Sequence, residues 1–103
     1  MSATEKTADF EGSYLLGEAD GDMWIVDAHP NDAQSLAMLG PDDIGQRDMF
    51  GHRSATWLME RAESYTQQDE RFDSYSYYEG FLASVRRARQ ARAFATAGSR
   101  RSW

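Results

Sequence analysis

FDSYSYYEGFLASVRRARQARAFATA, residues 72–97, decides how this chain is read. Phe72, Tyr75, Tyr77, Tyr78 and Phe81 crowd its first ten positions, and Arg86, Arg87, Arg89 and Arg92 follow with no acid after Glu79. Tyr78, Phe81, Leu82, Val85 and Ala88 recur at helical spacing and form one apolar stripe. Ser76 and Glu79 match a capping box, with Ser74 an alternative cap two residues earlier, and Gly98 is the expected stop. The stripe breaks near its end: Arg89 and Arg92 fall back onto its own axis, so the last turns cannot enter the same core. Either the helix projects beyond the body, or these arginines meet an acidic surface.

Working back towards the N-terminus, residues 67–71 form a polar connector, preceded by a predicted helix from Ser54 to Gln67. Ala55, Leu58, Met59, Ala62 and Tyr65 share its buried face. Trp57 lies at the margin of that face, with Arg61 one turn on, which places a guanidinium over an indole. Residues 42–51 are acidic and punctuated by glycine, and read as a loop. Ala33 to Leu39 reads as a short helix, capped by Asn31 or Asp32 and closed by Gly40-Pro41.

The N-terminal third is open to two readings. Tyr14–Leu16 and Met23–Val26 are apolar runs flanking an Asp20-Gly21 pair, which favours a short β-hairpin. Alternatively, Asp9 to Leu16 forms a helical turn and Trp24–Val26 a lone extended segment. The expected fold is mainly α, with α+β left open: two or three helices forming a helical hairpin, behind an N-terminal β-hairpin or extended segment. The expected organisation is a flexible stretch 1–9, one globular domain 10–97 and a basic tail 98–103.

Composition narrows the functional classes. A chain of 103 residues is one domain. With six Leu, two Ile, two Val and five Phe the aliphatic core is thin, so five Tyr and three Trp must supplement it, and a homodimer is the simplest remedy. There is no Cys, which removes disulfides, zinc thiolates and thiol catalysis. No apolar run approaches the roughly 20 residues that span a bilayer, and no signal-peptide h-region is visible, so a cytoplasmic location is expected. The net charge of −6 is uneven: residues 1–52 hold eleven acids against Lys6 and Arg47, whereas residues 53–103 hold nine arginines against six acids. Opposite signs in the two halves favour attraction between them and oppose direct nucleic-acid binding.

No constellation specifies chemistry. Asp27 and His29, with Asp32 nearby, lack a third ligand or a nucleophile, and His52 stands alone. Asp20-Gly21-Asp22 lacks the Glu that closes a calcium loop. No catalytic residue, metal or cofactor is therefore expected. The Tyr/Ser-rich run is instead the composition of binding surfaces, and a helix cannot turn Tyr75, Tyr77 and Tyr78 all inward. The candidate partner-binding residues are Trp57, Tyr75, Tyr77, Tyr78, Arg86, Arg89 and Arg92.

Tyr77-Tyr78-Glu79-Gly80-Phe81-Leu82-Ala83 resembles the helix start of ribosome modulation factor and related short proteobacterial regulators. That factor is strongly basic and this chain is acidic, so the ribosomal function does not carry over. In size, charge and helicity the chain is similar in kind to bacterial anti-activators that sequester quorum-sensing transcription factors, and to phage-encoded inhibitors. The expectation is a non-enzymatic regulator that binds and inhibits another protein. The alternative is an acidic DNA mimic acting on a nucleic-acid-binding protein.

Overall fold

The computed structural model describes residues 7–44 and 52–101, with side chains through Arg92. Its elements are α1 (Phe10–Asp27), α2 (Pro30–Ala37), α3 (Pro41–Ile44), α4 (Arg53–Gln68) and α5 (Ser74–Arg101). The chain is mainly α, as its apolar periodicity predicts, and no strand occurs among the described residues. The expected N-terminal β-hairpin is absent. In its place α1 runs for 18 residues straight through Asp20-Gly21.

The reason is that Gly17 and Gly21 are contact residues rather than turn residues. Ser13, Gly17 and Gly21 are buried on α1 at every fourth position, and Ser76, Gly80 and Ser84 repeat that spacing on α5. A β-carbon on Gly17 would lie 2.1 Å from the Tyr77 carbonyl oxygen, and one on Gly80 2.1 Å from that of Tyr14. The two backbones thus touch, which only small residues permit. The Asp73 N–H donates to Ser13 Oγ at 2.9 Å near one end of this seam, and Arg92 reaches the Ile25 carbonyl oxygen near the other. Helices α1 and α5 are therefore parallel, and α2, α3 and α4 form the crossover between them. The main partner of α5 is α1, which corrects the expected hairpin of helices adjacent in sequence.

Around this pair the core gathers Tyr77, Phe81, Leu82 and Val85 of α5 with Leu36, Ile44, Leu58 and Ile25. Aromatic contacts make up for the sparse aliphatics. Phe81 lies 5.6 Å from Trp24 and 5.9 Å from Trp57, while Tyr65, Phe72 and Tyr77 form a triangle with centroid separations of 5.3 to 5.4 Å. Each such pair contributes about 0.5–1.5 kcal/mol beyond its buried area.

The helix ends follow the chemistry of orphan backbone groups, with cap residues other than those expected. Asp73, not Ser76 or Ser74, caps α5 by accepting the Ser76 N–H at 2.9 Å; Ser76 is buried. His29 Nδ1, not Asn31 or Asp32, accepts a backbone N–H at the start of α2, where Pro30 occupies the first turn. The start of the expected loop 42–51 is helical instead: Pro41–Ile44 coils into a short helix that buries Ile44, and residues 45–51 lie outside the described residues. Gly98 does not end α5, whose backbone stays helical to Arg101. At the N-terminus, Arg71 Nε donates to the Thr7 carbonyl at 3.2 Å and the Asp9 N–H donates to the Arg71 carbonyl at 2.7 Å, so this edge of the expected flexible stretch is tied down.

Candidate partner-binding surface

Asp20, read as a turn residue in the sequence, organises one side of the molecule. It sits mid-helix on the α1 face turned towards α4 and α5, and its side chain is only 10% exposed. Its Oδ2 accepts from Tyr77 Oη at 2.7 Å, Tyr65 Oη at 2.8 Å and Arg61 Nε at 3.1 Å. Three donors and an opposite charge supply what a buried carboxylate requires. Burial and the adjoining carboxylate push the Tyr77 hydroxyl far above the ordinary tyrosine range and raise that of Tyr65. The hydrogen bond to Asp20 likewise raises the Arg61 guanidinium, keeping it charged.

This network fixes Arg61 against two aromatic rings. The guanidinium carbon lies 5.6 Å from the ring centroids of both Trp57 and Tyr65, so the predicted Trp57–Arg61 pair is present and has acquired a second ring. Trp57 stacks on Trp24 at 6.5 Å and an interplanar angle of 27° while remaining 38% exposed. Met23, 74% exposed, completes the rim. A shallow concavity of about 190 Å³ lies among Asp20, Met23, Trp24, Trp57 and Arg61. A second, of about 350 Å³, continues along α4 past Glu60, Ser64 and Gln68.

The sequence-predicted residues separate into distinct environments. Tyr77 is fully buried, with its hydroxyl on Asp20, so no surface partner reaches it. Tyr78 is nearly buried and lines a hollow together with Met59, Glu63 and Thr66; its hydroxyl is raised by burial and then by Glu63. Tyr75 is the exposed member of the trio that helical geometry demands, and Asp42 followed by Glu79 raises its hydroxyl. It therefore faces the acidic α3 side, with neighbours unlike those of Trp57.

The arginines of α5 mostly serve the chain itself. Arg86 donates to the carbonyls of Ala37 and Leu39, where α2 ends, and Arg92 donates to the Ile25 carbonyl in the last turn of α1. Cations at helix C-termini satisfy orphan carbonyls and oppose the helix dipole. Arg87 pairs with Glu18 at 2.9 Å, an instance of the expected attraction between the two halves. Arg89 is exposed and has no side-chain partner among the described residues.

Comparison with known proteins finds no match: no protein-family model, no curated protein and no solved structure aligns significantly with the chain. The surface must therefore be read on its own chemistry. No cluster of three or more metal-ligating side chains exists among the described residues. Both histidines act as helix caps, His52 Nδ1 accepting the Ala55 N–H at 3.3 Å. Asp22 is engaged by Ser84 Oγ, which leaves the Asp20–Asp22 pair in two separate bonding arrangements. No described helix is long and apolar enough to cross a membrane. Sequence reasoning missed Asp20 and Trp24; they are one helical turn apart, and reading α1 as a helix would have aligned them on one face.

Proposed function

We propose that this chain is a small non-enzymatic regulator that binds another protein and inhibits it, in the manner of an anti-activator that sequesters a bacterial transcription factor such as a quorum-sensing regulator. The observation that carries this reading is the exposed Trp57, stacked on Trp24 and flanked by an Arg61 that Asp20 holds in place. Trp and Arg are the residue types that dominate interface energetics. A guanidinium already held by Asp20 through Nε loses little further freedom on binding, so its remaining N–H groups meet a partner's carboxylate at low entropic cost. The apolar rim at Met23 and Trp24 accommodates an aliphatic or aromatic side chain beside that carboxylate. Tyr75 forms a separate contact area on the acidic side.

Affinity capture from a bacterial lysate, with the wild-type chain beside a Trp57→Ala/Arg61→Ala variant, tests the reading. The expected result is a partner retained by the wild type and bound at least tenfold more weakly by the variant, with helix content unchanged. A partner held equally by both rules this surface out.

The second reading is an acidic DNA mimic. What favours it is that Arg61, Arg86, Arg87 and Arg92 are engaged within the chain, while Glu11, Asp22, Asp27, Asp32, Asp42 and Asp43 remain exposed. Salt separates the two readings. Binding by a carboxylate array collapses between low and high ionic strength, whereas binding through the tryptophans changes little.

A further inference from the structure

Helix α1 is built inside out. Its small residues Ser13, Gly17 and Gly21 face the core, while Leu15 (55% exposed), Ala19, Met23 and Val26 (70% exposed) line its outer side. Their spacing places them in one stripe along the helix. Met23 borders the tryptophan patch, whereas Leu15, Ala19 and Val26 lie away from it. A helix that is apolar on both faces is normally covered on both.

Charge identifies what covers it. Helix α1 carries five acids and no base; Glu18, Asp20 and Asp22 are bonded within the protomer, while Glu11 and Asp27 are exposed at its two ends. Helix α5 from Arg86 onwards is the opposite: it has no acid, and beyond the internally engaged Arg86, Arg87 and Arg92 its sequence carries Arg89, Arg100 and Arg101. It also outruns its partner: Arg92 already reaches the last turn of α1, yet the backbone remains helical from 93 to 101, about 13 Å further. That projecting length has no α1 of its own chain beside it, and its sequence is basic and alanine-rich.

We propose that a second copy of this chain covers the outer face of α1, laying the arginine-bearing end of its own α5 antiparallel along Leu15, Ala19 and Val26. The contact is reciprocal, each protomer lending its α5 end to the other's α1, as a two-fold dimer requires. It unites the exposed stripe, the opposite charges of α1 and the α5 end, and the overhang of α5. It does not depend on the tryptophan surface.

Sedimentation velocity on the full chain at about 50 µM, in low and high salt, tests this directly, with two variants alongside. The wild type sediments at twice 11.7 kDa in low salt and dissociates more readily as salt rises. Leu15→Lys/Val26→Lys, at exposed positions that leave the tryptophan patch untouched, sediments as a monomer with unchanged circular dichroism. Arg100→Glu/Arg101→Glu weakens self-association at least tenfold in low salt. A monomeric wild type in low salt overturns the proposal. So does a dimer that survives the Leu15/Val26 variant, and a dimer lost in that variant but indifferent to the arginine reversal shows that something other than α5 covers the stripe. Partner capture by the Leu15/Val26 variant separates this outcome from any failure of the regulator reading.

Discussion

Gly17 and Gly80 meet where α1 crosses α5, each so close to the opposite backbone that a β-carbon on either would fall 2.1 Å from a carbonyl oxygen. Backbone cannot swing aside as a side chain does, so the helices would have to separate. Glycine inside a helix costs about 1 kcal/mol relative to alanine, yet here alanine is the destabilising choice. Gly17→Ala and Gly80→Ala should each lower stability by about 1–3 kcal/mol through overpacking. The double variant should cost less than the sum, because one separation relieves both clashes. Gly40→Ala, where a β-carbon meets only Asp43 at 3.6 Å, is the control and should be close to neutral. Urea denaturation of the four variants measures all of this.

Replacing Asp20 tests the hub. Asp20→Asn keeps the shape and an oxygen that can take the place of Oδ2, but removes the charge that strengthens its three hydrogen bonds. A loss of about 1.5–3 kcal/mol is expected, the range for a hydrogen-bonded charged group, with the share from half-exposed Arg61 reduced by solvent. Tyr77→Phe should cost about 1 kcal/mol, since Asp20 retains Tyr65 and Arg61.

Alkaline pH should destabilise the fold. The folded state holds the Tyr77 proton more tightly than the unfolded chain does, because burial and Asp20 disfavour the phenolate. The unfolded chain therefore releases its proton first. Stability is fully present below the ordinary tyrosine value of about 10 and declines as pH rises above it, by up to about 1.4 kcal/mol per pH unit for this group. Tyr65 and Tyr78, also raised, add to the slope. Thermal melts from pH 8 to pH 11.5 should show a falling Tm, and Tyr77→Phe should flatten the fall.

Core and surface aromatics should separate cleanly. Phe81, fully buried between Trp24, Trp57 and Tyr77, should cost about 3–5 kcal/mol on truncation to alanine. Tyr75→Ala, at a 47% exposed position, should change stability by no more than about 0.5 kcal/mol. Tyr78→Ala should behave like a core change, because Tyr78 is only 9% exposed. A Tyr75 variant that melts as early as the Phe81 variant would show that the exposed tyrosine belongs to the core.

Several features were legible in the sequence because they depend on neighbours within a turn or two. Periodicity alone marked α4 and α5, put Phe81 in the core and paired Trp57 with Arg61. The break at Arg89 and Arg92 also showed that α5 must leave the core before it ends, and Arg92 marks that point by reaching the end of α1. Only the tertiary structure decided the nature of residues 10–27. Local rules read Asp20-Gly21 as a turn because glycine weakens an isolated helix. What offsets that weakness is contact with the backbone of α5, some sixty residues away in sequence, which no local window contains. The same distance hid Asp20 as an acceptor and sent Tyr77 inward while Tyr75 stayed out, since which side of α5 is covered was settled by where α1 came to rest.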